Sequence, residues 1–158
     1  MKKELHTKVI FCVLICLAVG AIGSIATSSS VEGWYVTLNK PSFNPPNWIF
    51  GPVWTILFIL MGIATGIVWF KKPKSMFAGF ALKIFAAQLV LNVLWSFSFF
   101  YFQSPLLGLI NIIILLFLIV MTIKWYSRVD KLASYLLYPY IAWVSFATVL
   151  NFNIWVLN

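Results

Sequence analysis

The stretch IFAAQLVLNVLWSFSFFYFQSPLLGLINIIILLFLIVMTI, residues 84–123, lies between Lys83 and Lys124 and contains no charged side chain. A helix needs about 20 apolar residues to cross the hydrocarbon core of a bilayer, so a run of about forty holds two spans. Gln103, Ser104 and Pro105 provide the short connection between them. Outward from this stretch, three more segments are free of charge and long enough for one span each: Lys8 to Glu32, Lys40 to Lys71, and Lys131 to Asn158. The expected fold is an all-α membrane protein. It is a five-transmembrane-helix bundle in a single domain, residues 1–158, with helices at roughly 8–27, 48–70, 78–102, 105–126 and 132–155.

Composition agrees. Of the 158 residues 63% are hydrophobic and 9% charged, and the net charge is +8, far from the ~25% charged residues of a soluble domain. The cations are spread thinly over helix ends, with no basic, aromatic-interleaved surface to track a phosphate backbone, so nucleic acid is not an expected partner. Their distribution fits topology instead. Lys2, Lys3, Lys8, Lys71, Lys72, Lys74, Lys124, Arg128 and Lys131 fall on one side of the bundle and only Lys40 on the other. The positive-inside rule then places the N-terminus in the cytoplasm, in a bacterial plasma membrane. Lys2, Lys3, the apolar run at 9–19 and the small residues at 21–30 imitate a signal peptide. The apolar stretch continues through Ile25, longer than the ~7–15 residues of such a segment, and reads as the first helix.

The one long connection, residues 28–47, is rich in turn formers: Ser28, Ser29, Ser30, Gly33, Asn39, Pro41, Asn44, Pro45 and Pro46. Its prolines predict a stiff, ordered strap from Lys40 to Asn47. Trp34, Tyr35, Phe43 and Trp48 give this strap an apolar surface, as a lid over a cavity or as an interfacial anchor. The other links are short and make successive helices antiparallel neighbours. Pro52 and Pro105 suit first turns, whereas Pro139 lies inside the fifth segment and is expected to kink it. Gly62 and Gly66 form a GxxxG pair, read as internal helix packing in preference to a dimer seam. Cys12 and Cys16, one turn apart with no ligand partner, read as small buried hydrophobes.

Polar groups in the hydrocarbon are costly unless paired or facing a cavity. They fall on definite faces: Gln88, Asn92, Trp95 and Phe99 in the third helix; Trp54, Phe58, Met61 and Thr65 in the second; Trp143, Phe146, Ala147, Leu150, Asn151 and Ile154 in the fifth. Such stripes more often form a packed core joined by interhelical hydrogen bonds, with a shared ligand cavity as the alternative. Trp54, Trp95 and Trp143 favour the cavity, because they lie inside the spans, away from the interfaces where tryptophan anchors. Glu4, Glu32 and Asp130 are the only acids and His6 the only histidine, all outside or at the membrane edge. General acid–base catalysis, axial haem ligation and ion-coupled transport are therefore disfavoured.

WYVTLNKPSFNPPNWIFGPVW at 34–54, LNVLWS at 91–96 and PYIAWVSFATVLN at 139–151 resemble, in this order, the motifs of the TspO/MBR (translocator protein) family. The resemblance spans nearly the whole chain. It implies five packed helices, commonly a homodimer among membrane lipids, with a pocket beneath the first loop that binds protoporphyrin IX and isoquinoline-carboxamide-type molecules, with no cofactor required. By the family pattern, Tyr35, Pro45, Trp54, Phe58, Asn92, Trp95, Trp143, Phe146 and Ala147 line this pocket, and Gln88 matches a position polar in some relatives. The implied function is that of a tetrapyrrole receptor. A light- and oxygen-dependent degradation of bound porphyrin, with Trp54 and Trp143 as the implicated indoles, is a second reading, and transport of porphyrins or other lipophiles a third. Phe152 and Val156 stand where animal members carry the Tyr and the cation of a proposed cholesterol motif, so sterol binding is not carried over.

Overall fold

In the computed structural model, which describes residues 2–158, seven α-helices follow in the order α1 (Lys2–Val31), α2 (Trp34–Thr37), α3 (Asn47–Lys71), α4 (Ala78–Ser96), α5 (Pro105–Ser127), α6 (Lys131–Tyr135) and α7 (Tyr138–Leu157). A 3₁₀ turn, Lys72–Lys74, follows α3, and a π-helical turn, Phe97–Tyr101, continues α4. Among the described residues there is no strand, and five segments are long and apolar enough to cross a membrane. In lipid the backbone must satisfy itself, and helices do so within one segment. Hydroxyls follow suit: Thr27, Thr65, Thr122 and Thr148 donate to the carbonyls of Gly23, Met61, Leu118 and Val144, four residues back.

Helix ends carry identifiable signals. Ser104 caps α5 by accepting from Leu107 N at 3.3 Å, with Pro105 behind it and Gln103 at φ 51° in the turn. Asp130 caps α6 through Ala133 N at 2.9 Å and also bridges to Lys71 at the end of α3. Burial would raise the Asp130 carboxyl, but the Lys71 hydrogen bond and the Ala133 and Leu132 amides hold it below the usual carboxylate range.

Three local expectations are corrected. The first helix starts at Lys2 and runs on to Val31, so the serines at its end are helical: Ser28 donates to Ile25 O, and Ser30 to Phe100 O at 2.7 Å. The side chain of Ser29 lies outside the described residues. Pro52 sits in the second turn of α3, since this helix begins at Asn47. Pro139 does not kink a continuous helix. The fifth span breaks at Leu136 and Leu137, and Pro139 occupies the first turn of the new helix α7, where its missing N–H is harmless.

Helices α1 and α3 are clamped at the end nearer the N-terminus. A Cβ on Gly62 would stand 2.4 Å from Val13 Cα, and one on Gly66 2.5 Å from Val9 Cα, so the GxxxG pair serves packing inside the chain. Round the bundle, α1 also packs on α4, α4 on α5 and α5 on α7, while α3 meets the fifth span chiefly at α6. Cys12 and Cys16 are buried and free.

Candidate functional site

The clamp joins α1 to α3 at one end, and the cavity lies beyond it, towards the strap. There α1, α3, α4 and α7 enclose a cavity of about 440 Å³, within the ~300–1,000 Å³ usual for small-molecule sites. None of the side chains lining it is charged. Ala21 and Ser24 of α1 and Asn47, Gly51 and Thr55 of α3 line it and are also exposed, which marks a mouth between these two helices on the lipid-facing surface.

Its α3, α4 and α7 walls are drawn from the predicted stripes, without Met61, Thr65, Gln88 and Phe146. Trp54 packs on Phe58, Trp95 and Tyr140 at centroid distances of 5.7, 6.5 and 6.3 Å, and Trp95 stacks on Phe99 at 5.6 Å. Trp143 meets Phe50 at 6.0 Å across the α3–α7 gap. Of the three indoles only Trp95 has an acceptor among the described residues, Asn151 Oδ1 at 3.1 Å. Asn151 Nδ2 in turn donates to Pro105 O at 2.7 Å. The Trp54 and Trp143 N–H groups are left as donors for an occupant.

A polar chain adjoins the cavity. Asn92 Nδ2 donates to Tyr140 Oη at 2.9 Å, Tyr140 donates to Gln88 Oε1 at 2.7 Å, and Gln88 Nε2 approaches Met61 Sδ at 3.9 Å. These groups are deeply buried, so the chain both joins α3, α4 and α7 and fixes the Asn92 amide at the wall.

The strap closes the far end. Tyr35 is 4% exposed and lies on Phe99 and Phe100, with its hydroxyl donating to Asn44 Oδ1 at 2.8 Å. Burial pushes its phenol up to about 12, with the Asn44 hydrogen bond opposing. Lys40 folds back over the Tyr35 ring at 4.8 Å and donates to the carbonyls of Tyr35 and Leu38. Asn39 and Asn158 exchange hydrogen bonds of 2.9 Å, tying the strap to the end of α7.

Of the residues expected at the site, Tyr35, Trp54, Phe58, Asn92, Trp95, Trp143 and Ala147 line the cavity. Gln88 lies behind the wall in the polar chain. Phe146 packs outside it, between Trp143 at 5.5 Å and Phe43 of the strap at 6.3 Å. Pro45 is in the strap, with its carbonyl accepting from Asn44 Nδ2. The contribution of α1 was not anticipated. Leu17, Gly20, Gly23, Ser24 and Thr27 form a whole wall, and their only signal is a lack of bulk: Gly20 leaves room for the Phe58 ring, and Gly23 for Ser96 Oγ.

The TspO/MBR family model matches residues 12–156. The chain is similar to the tryptophan-rich protein TspO of Chlorobaculum tepidum, at 49% identity over 100% of this chain and 99% of that one. It is similar to the protein of the same name from Archaeoglobus fulgidus, at 44% over 96% and 97%. To the translocator protein of Homo sapiens it is 36% identical over 85% and 83%.

Proposed function

The chain belongs to the TspO/MBR family, and from that premise we propose that it is a membrane receptor for a flat tetrapyrrole such as protoporphyrin IX. The observation that supports this most is the cavity itself, walled by Trp54, Trp95 and Trp143 and free of charge. Rings stack on the macrocycle faces, and the Asn92 amide with the free indole N–H groups meets its polar edge. The carboxylates of the ligand find no cation inside and lie towards the mouth, past Ser24 and Thr55. The same apolar, amide-bearing space suits isoquinoline-carboxamide ligands.

In the second reading the bound porphyrin is degraded in light. The excited ring and oxygen supply the reactivity, and Trp54 and Trp143 stand beside it as oxidisable indoles, so no acid–base group is needed. A third reading, exchange of lipophiles with the bilayer, is favoured by the mouth between α1 and α3. The cation distribution supports a cytoplasmic N-terminus in a bacterial plasma membrane, and a homodimer accords with the family.

Titrating protoporphyrin IX into purified protein, and following its absorbance under light beside Trp143→Phe, tests these readings. Saturable binding is expected for both proteins, with slower decay in the variant. Decay no faster than that of porphyrin without protein leaves a receptor or carrier without photochemistry, and binding no stronger than to empty detergent micelles rejects the receptor.

A further inference from the structure

The side of the bundle that holds the N-terminus carries more cations than its acids can balance. Among the described residues Glu4 pairs with Lys8, and Asp130 with Lys71. Lys124 and Arg128 at the end of α5, and Lys83 on α4, are exposed and have no carboxylate partner. They surround an aromatic floor. The Arg128 guanidinium lies over the Trp125 ring at 4.7 Å and the Phe77 ring at 5.7 Å, and Phe80 meets Trp125 edge-on at 4.8 Å. Lys83 is one turn beyond Phe80 on the same exposed face of α4. The Trp125 indole N–H is buried and has no hydrogen-bond partner.

We propose that this α4–α5 end binds the headgroup of an anionic phospholipid from the leaflet around it. Three features converge on a phosphodiester at headgroup depth. Arg128 rests over two aromatic rings, and its planar fork suits bidentate contact with a phosphate. Lys83 and Lys124 rise from the apolar faces of adjacent antiparallel helices, where their stems lie in the acyl region and their ammonium groups reach the interface. The Trp125 N–H is a buried, unmet donor, which a phosphate oxygen satisfies only by displacing the side chains that cover it. Zwitterionic lipid brings its own cation into this basic cluster and is bound less well.

The test uses the full chain in nanodiscs of equal parts phosphatidylglycerol and phosphatidylcholine, with lipid retained per protomer counted by native mass spectrometry. Wild type is expected to retain phosphatidylglycerol preferentially. Arg128→Gln with Lys124→Gln should lower that retention by about fivefold for each cation removed. Lys2→Gln with Lys3→Gln, an equal charge change on the same side, should leave it unaltered. Trp125→Phe, which deletes the donor and keeps an aromatic ring under Arg128, should weaken retention with the fold retained. Equal loss in the control pair would reduce the effect to diffuse charge and overturn the site. So would competition by millimolar inorganic phosphate, which would mark a free-anion site, or retention confined to dimers, which would make this face a contact between copies.

Discussion

Small side chains and single hydroxyls carry much of this structure. Gly62 stands against backbone, so Gly62→Ala must push α1 from α3, an overpacking that costs ~1–3 kcal/mol and should lower the unfolding temperature in detergent. Gly20 differs in kind. A Cβ there would meet the Phe58 ring at 2.5 Å, and a ring bordering a cavity can turn into it. Gly20→Ala is therefore expected to keep its unfolding temperature while losing ligand capacity, measured by titration on the same sample. Tyr140→Phe removes the hydroxyl that links Gln88 to Asn92 and should destabilise by ~1–2 kcal/mol, read from the same unfolding curves. Phe58, Gln88 and Asn92 were legible in sequence because a bulky or polar group in lipid must be explained, whereas Tyr140 emerged only from its hydrogen bonds. The glycines of α1 were not, since in an apolar helix a missing side chain looks the same whether it faces a neighbour, a ligand or lipid.

At the scale of elements, the ends decided what the runs could not. Charge-free length was enough to count five spans, and the GxxxG spacing was enough to foresee close packing. Proline kinks a helix or begins one, and here the difference rests on Leu137, whose N–H turns from the four-residue pattern to Ser134 O, a change that no residue there signals. Asp130 makes the opposite point, since one side chain caps α6 and ties it to α3. Its carboxyl ionises more readily folded than unfolded, so its contribution is complete above the unfolded value of ~4 and is lost as pH falls through the lower, folded value. Acidification below about pH 4 should lower the unfolding temperature of wild type by more than that of Asp130→Asn, which lacks this contribution at every pH.

For the molecule as a whole, an odd number of spans puts the two ends of the described chain on opposite sides, and the excess of Lys and Arg is the ground for the proposed cytoplasmic N-terminus. Alkaline phosphatase, active only outside the cytoplasm, should be active when fused after Asn158 and inactive when fused into the Lys72–Lys74 turn. The reverse pattern would invert the topology. That the bundle holds a cavity in place of a filled core was only half legible, because a ring facing a void and a ring facing another ring have the same spacing. The void lies beyond the Gly62 clamp, where Gly20 and Gly23 withhold the bulk that would fill the space beside α3 and α4, a property of the packed helices that no single one shows alone.

On the receptor function proposed above, the mouth between α1 and α3, lined by exposed Ala21, Ser24, Gly51 and Thr55, faces lipid and fixes which concentration the cavity reads. An occupant must first dissolve in the bilayer, so the relevant quantity is its mole fraction in lipid. An affinity expressed per litre of buffer is then a product of partitioning and binding. Doubling the lipid at constant protein and total ligand should dilute a strongly partitioning occupant and shift its apparent dissociation constant upward about twofold, with no residue of the protein altered.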